Sequence, residues 1–368
     1  MAEGERISVT EPELKNYIAC IRPADSAASR LASARQAKLA KPPGSLGKLE
    51  DISVKLAGIT GRMLNEINAC RVLVFAADNG VVREGVAVTP SAVTLAQCIN
   101  MTRHKTGMSA LAGYFGNDIR VYDVGINKEF SYPGILDRKV RLGTDSIMRG
   151  PAMTRNEALL AIGHGIAAAE DAALDGMDAV GVGEMGIGNT STSAAVLAAL
   201  TGRRACDTVG RGSGLTDDAY KNKIKVVQKA LDVNKADPGD PVGVISKVGG
   251  LDIAAMTGAF LGLAAKRIPA VVDGFISITA ALCAVRLCPQ VRDFIFLSHA
   301  SAERGYIIAA NELEMEPFML LEMRLGEGSG CPIAFEVLKA ACAAMNGMAT
   351  FEEAAIDDGY LDCIRSRI

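Results

Sequence analysis

From Arg71 onward one pattern recurs. A short apolar run ends in a polar residue or glycine, and a stretch of helical length follows. The runs at 72–77, 119–122, 179–182, 270–272 and 294–297 close on Asp78-Asn79-Gly80, Asp123-Val124-Gly125, Gly183-Glu184, Asp273-Gly274 and Ser298-His299. Ala-rich segments at 156–174, 191–200 and 253–266 lie between them. Strands without polar alternation, separated by helices, suit a parallel sheet covered on both faces. The pattern therefore predicts an α/β fold, doubly wound around a mostly parallel sheet. In such sheets ligands gather outside the carboxyl ends of the strands. Asp78, Asp123, Glu184, Asp273 and His299 are expected to converge on that edge.

The flanks read differently. Residues 11–38 predict two helices, with Asp25 or Ser26 as a cap, and 49–63 a third. Lys41-Pro42-Pro43-Gly44-Ser45-Leu46-Gly47-Lys48 reads as a connector, and a plain interdomain linker is the simplest account of it. Residues 332–345 and 351–364 predict two closing helices, the second interrupted by Gly359. With 368 residues the chain exceeds one small core. The expected division is a small helical domain from 1–65 and 331–368, around a large α/β domain at 66–330. The stretch 234–241, with two Asp-Pro pairs, reads as an exposed loop.

Composition removes several classes of function. The net charge of −3 offers no basic footprint for nucleic acid, and with no Trp the aromatic fraction is 5%. No apolar run reaches the length of a membrane helix. Residues 1–14 are acidic and polar, unlike a signal peptide. Nine scattered Cys without a CxxC pair suggest free thiols, Cys283 and Cys288 buried among them, in a reducing cytoplasm. With three His, a His-built metal centre is not expected, and His104 and His164 fit no pattern.

The stretch Val182-Gly183-Glu184-Met185-Gly186-Ile187-Gly188-Asn189-Thr190-Ser191-Thr192 follows a strand and opens a helix. Its free backbone N–H groups and the helix dipole suit a phosphate. A glycine-rich turn without a ligand is the competing reading. Gly181, Gly183 and Gly186 also spell GxGxxG, with Asp207 further on, as in a dinucleotide-binding oxidoreductase. Against that reading, Glu184 would place a negative charge against a pyrophosphate. Gly210-Arg211-Gly212-Ser213-Gly214-Leu215, before a helix capped by Thr216 and carrying Lys221 and Lys223, suits a second phosphate contact or a solvated loop. His299 lacks a nucleophile elbow elsewhere in the chain and reads as a hydrogen-bonding residue. Arg324-Leu325-Gly326-Glu327-Gly328-Ser329-Gly330 holds one carboxylate between glycines. That is either a surface turn or a carboxylate aimed at a ligand, whose burial would raise its pKa toward that of a general base.

These blocks also fall in a familiar order. KPPGSLGKLE at 41–50, 75–80, 183–190, 210–215, GGLDIAAMTG at 249–258, VVDGFI at 271–276, 298–303 and 324–330 together resemble the nicotinate-nucleotide:dimethylbenzimidazole phosphoribosyltransferases, over roughly 40–345. The resemblance implies transfer of the phosphoribosyl group of nicotinate mononucleotide to an aromatic lower-ligand base of cobamides, with nicotinate leaving. It implies no cofactor and no metal, a small helical domain from both termini, and a dimer with active sites near the subunit interface. Glu327 would be the general base, with Glu184 beside the reacting centre. Phosphate and ribose would be held by Gly186, Gly188, Asn189, Thr190, Gly212, Ser213, Gly214, Lys223, Asp273, Gly274 and Ser301. Asn79, Ala87, Val88, Thr89, Pro90, Gln97, Met185, Met323 and Leu325 would line the base pocket.

Two departures stand out. The family usually has Asp-His-Gly where this chain has Asp78-Asn79-Gly80. It usually has Ser-Ala-Tyr/Phe-Pro where this chain has Ala87-Val88-Thr89-Pro90. Losing the serine removes a partner for a benzimidazole nitrogen. Some relatives are heterodimers of two paralogues that attach phenols, so the expected partner is an identical chain or a paralogue, and the acceptor a benzimidazole or a phenol. A non-catalytic partner subunit is a further alternative, which Glu327 argues against.

Overall fold

The structure, a computed structural model, describes residues 9–212 and 214–361. Its centre is a parallel sheet of strands β1 (Cys70–Ala77), β2 (Asp118–Gly125), β3 (Ile135–Asp137), β4 (Ala179–Met185), β5 (Ala270–Val272) and β6 (Ile295–Leu297). Every residue of β1, β4, β5 and β6 is buried, as strands covered on both faces must be. The edge strand β3, three half-exposed residues long, carries too little pattern to announce itself in sequence.

Strand order is β3-β2-β1-β4-β5-β6. The chain winds outward from β1 through β2 to β3, then returns to pair β4 against the other side of β1. The order reverses between β1 and β4, where the connections leave in opposite directions and open a crevice. Register sets Phe75 beside Glu184 and Ala76 beside Met185, so Asp78-Asn79 and Glu184-Met185 meet there. The structure extends the run expected at 179–182 by three residues, which puts Gly183 and Glu184 inside β4.

The helices are α1 (Glu11–Ala19), α2 (Ser26–Lys38), α3 (Lys48–Thr60), α4 (Ala92–Thr102), α5 (Gly107–Phe115), α6 (Arg155–Leu174) and α7 (Asn189–Thr201). They continue as α8 (Ala205–Thr208), α9 (Asp217–Asn234), α10 (Pro241–Val248), α11 (Leu251–Ala265), α12 (Phe275–Leu287), α13 (Arg304–Glu312) and α14 (Gly330–Gly347). Asp25 caps α2 as expected, accepting from the N–H groups of Ala27 and Ala28. Among the described residues no helix is long and apolar enough to cross a membrane. Nearly all of α11 is buried, and it packs closely on α6. A methyl group on Gly258 would stand 1.9 Å from the Ile162 carbonyl oxygen, so only glycine permits that approach.

At the termini α2 and α3 pack on each other and on α14, with Ala32, Leu39, Ala57 and Met345 forming their own apolar cluster. Helix α14 packs on β1, β4 and β5 as well, so it belongs to both packings. Residues 41–48 are not a free linker. Lys41 is buried against Glu50 at 2.7 Å, and Lys48 Nζ donates to the Pro317 carbonyl at 2.7 Å. The helix expected at 351–364 is corrected: 351–355 form turns and Gly359–Leu361 a 3₁₀ turn, with 362–364 outside the described residues. Asp357 accepts from the Gly359 N–H, a local turn bond that competes with helix propagation.

Candidate active site

The site is organised around the loop that enters α14. Gly326, Glu327 and Gly328 have φ of 83°, 64° and 90°, three successive left-handed residues. For Glu327 that conformation is costly and must be imposed by its surroundings. Asp273, just after β5, imposes it from below. Its carboxylate accepts from Gly328 N at 3.0 Å and Gly330 N at 2.7 Å, and so also caps α14. Glu184 holds the other side, accepting from Glu327 N at 3.3 Å. Gly183 and Gly181 let this loop lie directly on β4. A Cβ on Gly183 would fall 2.6 Å from the Glu327 carbonyl, and one on Gly181 2.5 Å from Cys331 Cβ. The GxGxxG glycines therefore serve strand packing, and two of them lie in no phosphate loop at all.

The Glu327 side chain is only 5% exposed. It accepts from Met108 N at 3.2 Å, at the start of α5, and from the Thr106 hydroxyl that caps that helix; Gln97 Nε2 lies 3.5 Å away. Burial raises its pKa, the Met108 and Thr106 bonds draw it back, and the Asp273 charge adds to the rise; the net direction is upward. A buried carboxylate whose pKa is raised has the character a general base requires.

Glu184 is buried at the end of β4. Its Oε2 accepts from Asn189 Nδ2 at 2.5 Å, and the same amide nitrogen donates to Asp252 Oδ2 at 3.1 Å. Burial first, then the charges of Asp252 and Asp273, push the Glu184 pKa up to about 8. Asp252 is pushed up to about 6 by burial, restrained by the Ile253 N–H and the Asn189 and Asn79 amides.

A cleft of about 240 Å³ runs from this cluster along the N-terminus of α7. At its far end Lys223, 1% exposed, donates from Nζ to Thr190 Oγ1 at 2.8 Å, and Gly212 closes on both. Among the described residues Lys223 makes no ion pair. Burial lowers its pKa to about 8, with Glu303 opposing that shift. A buried cation beside a helix N-terminus suits an anion.

Glu327, Glu184, Gly186, Gly188, Asn189, Thr190, Gly212, Lys223, Gly274 and Ser301 all line this one cleft. So do Ala87, Thr89, Gln97, Met185 and Leu325, joined by Val86 and Val93. Several expected residues do not line it. Asp273 is spent on the loop backbone beneath, and Gly214 lies outside the lining. Asn79 sits behind Gly186 and Gly188, with its Oδ1 accepting from Thr192 Oγ1 at 3.2 Å. Val88 is 70% exposed and points away, Pro90 is exposed, and Met323 engages through its carbonyl, which accepts from Ala302 N. Ser213 lies outside the described residues. Of the strand-tip residues, Asp78 is taken by Thr94 and the Asn127 N–H, and Asp123 by Lys139 at 2.7 Å. His299 lines the cleft and hydrogen-bonds Ser298 Oγ at 3.0 Å.

Sequence reading missed Asp252, Thr106, Met108, Arg324 and Glu303. Asp252 carried the one available signal, a carboxylate at a helix start inside the otherwise apolar GGLDIAAMTG block. Thr106 and Met108 act through backbone and capping groups, which no side-chain motif reveals.

Residues 21–356 match the family described as "Phosphoribosyltransferase". The chain is 51% identical over 327 residues to a nicotinate-nucleotide–dimethylbenzimidazole phosphoribosyltransferase of Clostridium perfringens, covering 89% of this chain and 91% of the relative. It is 43% identical to the Clostridium tetani protein of the same name, over 96% and 98%. A crystal structure of CobT from Thermus thermophilus superposes with a TM-score of 0.87 at 38% identity, covering 90% of this chain and all of that one. With the carboxylate loop and the anion end in one cleft, these likenesses establish that the chain belongs to the nicotinate-nucleotide–dimethylbenzimidazole phosphoribosyltransferase family and is an enzyme of the pentosyltransferase class.

Proposed function

We propose that the enzyme moves the phosphoribosyl group of nicotinate mononucleotide to an aromatic lower-ligand base, releasing nicotinate. The observation that carries this reading is one cleft lined by both a buried carboxylate, Glu327, and a buried lysine, Lys223. The mononucleotide's phosphate occupies the Lys223–Thr190–Gly212 end, which sets C1′ toward Glu184 and Glu327. Nicotinate leaves a cationic N-glycoside as a neutral pyridine ring and needs little acid assistance. The acceptor loses a ring N–H or O–H proton as it attacks C1′, and Glu327 takes that proton. Base catalysis of this kind contributes about 10²–10⁴-fold, and alignment of the two substrates supplies much of the remainder.

The acceptor end is walled by Val86, Ala87, Val93, Met185 and Leu325, with Gln97 and Thr89 as its polar side chains. Asn100 Nδ2 donates to Gln97 Oε1 at 3.1 Å, which fixes the Gln97 amide with its N–H₂ toward Glu327. The related enzymes are named for dimethylbenzimidazole. Ala87 takes away one hydroxyl from that wall, and a polar nitrogen left bare in a dry pocket costs roughly 1–3 kcal/mol. A phenol presents only its hydroxyl, to Glu327, and carries no such cost, so the acceptor range extends to phenols. The partner is a second copy or a paralogue. The test is nicotinate release from the mononucleotide with phenol, p-cresol and dimethylbenzimidazole side by side, for the chain alone and with a paralogue. Turnover of the phenols within about tenfold of the benzimidazole is expected. A strong benzimidazole preference removes the phenol reading, and nicotinate release unaffected by Glu327→Gln removes the base assignment.

A further inference from the structure

Around the end of β4 three carboxylates are buried together: Glu184, Asp252 and Asp273. Asp273 is accounted for. Two loop N–H groups bind it, and His299 Nδ1 stands 3.9 Å away. Glu184 and Asp252 differ, since among the described residues neither makes an ion pair. What joins them is one neutral amide, Asn189 Nδ2, within hydrogen-bond distance of both. Two carboxylates buried side by side without a cation do not both ionise at neutral pH; the pair keeps a proton. The hydrogen bonds decide where it resides. Asp252 stands in the first turn of α11, where the helix dipole favours a negative charge, and its Oδ1 accepts from Ile253 N at 2.9 Å. Glu184 has only the shared amide and the longer bond from Glu327 N. The proton belongs on Glu184.

We propose that Asp252 is a positioning residue acting through Asn189: it keeps Glu184 a neutral carboxyl, so that Glu327 is the ionised carboxylate at the acceptor end. The inference rests on Glu327 being the base. Burial raises both, and the charges of Asp252 and Asp273 lift Glu184 further, so the pair ranks the same way. The other groups facing Glu184 leave this arrangement intact. Asp273 after β5 adds negative charge, and Cys98 on α4 is a buried thiol pushed far up by burial. Asp78 after β1 is occupied by Thr94 and Asn127, while Asn79 and Asn189 carry no charge. Replacing Asp252 by Asn takes away the nearest of the charges that, with burial, hold the proton on Glu184. Glu184 then ionises at lower pH, and negative charge moves from α11 to a place beside Glu327.

The experiment is the pH profile of kcat for the wild type, Asp252→Asn, Glu184→Gln and the double variant, with nicotinate mononucleotide and a saturating acceptor. Asp252→Asn is expected to shift the acidic limb upward by about one pH unit, because a nearby negative charge makes Glu327 harder to deprotonate. The double variant is expected to return the limb to the wild-type position. A merely structural role would lower kcat without moving the limb, and that result overturns the proposal. Infrared spectroscopy covers the case in which Asp252→Asn does not fold. At pH 7 the wild type should show the C=O band of a protonated carboxyl that Glu184→Gln lacks. Absence of that band in the wild type, or its survival in Glu184→Gln, also overturns it. Glu327→Gln separates the two levels. If it keeps wild-type turnover the base reading itself fails; if it is inactive and the Asp252→Asn limb stays in place, only this inference fails.

Discussion

At the anion end of the cleft, Lys223, Thr190 and Gly212 come from segments whose glycines and hydroxyls stand together in the chain. At the acceptor end, Glu184, Asp252 and Glu327 come from β4, α11 and the loop before α14, and they meet only in the fold. In the proposed reading, the first end works by one buried lysine and backbone donors, and the second by the distribution of protons among buried acids. A single titrating group carries the charge at the anion end, whereas several neighbouring acids share it at the acceptor end. The two ends should therefore fail differently when altered.

Glu327→Gln should produce the largest loss, about 10²–10⁴-fold in kcat. The amide keeps the shape, so the KM for nicotinate mononucleotide should stay within a few-fold. A steady-state assay with both substrates varied checks this. An equal loss in KM would erase the contrast between the ends, because Glu327 would then be a binding residue.

Lys223→Ala should do the reverse. Removing a charge-assisted bond to phosphate costs about 1.5–3 kcal/mol, or roughly 10–150-fold in kcat/KM, carried mostly by KM. The pH dependence follows from its lowered pKa. In the free enzyme the ammonium is charged below about pH 8 and neutral above it, so the mononucleotide KM should climb as pH rises through 8. Stability runs the other way. Between about pH 8 and the ordinary lysine pKa the unfolded chain binds more protons at this site, so this group's contribution to stability rises with pH. Thermal melts with and without mononucleotide across that window should show the opposed trends.

This contrast also explains what the chain disclosed before folding. The parallel sheet was legible because buried strands and helices alternate so regularly, and the anion end because its glycines cluster. Glu327 was visible as a carboxylate between glycines. The left-handed geometry of that loop was not, since it depends on Asp273 and Glu184 from other strands. Gly181 and Gly183 misled for a related reason. Their spacing imitates a phosphate loop, while their role is to let the Glu327 loop lie on β4, a contact between segments about 145 residues apart. The Asp252–Asn189–Glu184 link could not be read from the chain, because a shared amide is a three-body contact.

Gly183→Ala probes that loop contact directly. Its methyl group would press on the Glu327 carbonyl and Gly328 Cα, at 2.6 and 2.8 Å. The backbone must shift, at about 1–3 kcal/mol of stability, read as a lower Tm. Activity should fall with it, and kcat more than the mononucleotide KM, because the displaced loop carries the base and leaves the anion end untouched. A drop in Tm without any kcat change would show that the loop tolerates the shift, and would weaken the link drawn between backbone strain and base placement.

The smallest effect is expected at Ala87, which sharpens the comparison within the acceptor end itself. Ala87→Ser places a hydroxyl on a wall otherwise dominated by Val86, Val93, Met185 and Leu325. For a benzimidazole it supplies a partner to the ring nitrogen that Glu327 does not reach, worth about 0.5–1.5 kcal/mol, or roughly 2–13-fold in kcat/KM. For a phenol it adds a polar group with nothing to bind, at the cost of desolvating it. The ratio of dimethylbenzimidazole to p-cresol turnover should therefore rise, with nicotinate mononucleotide KM unmoved, since the Lys223–Thr190 bond is left intact. Competition between the two acceptors in one reaction, with both ribotide products quantified, measures that ratio directly. If it does not change, the hydroxyl at position 87 is not what separates the two acceptor classes, and Gln97 or Thr89, the other polar side chains of that wall, must carry the discrimination.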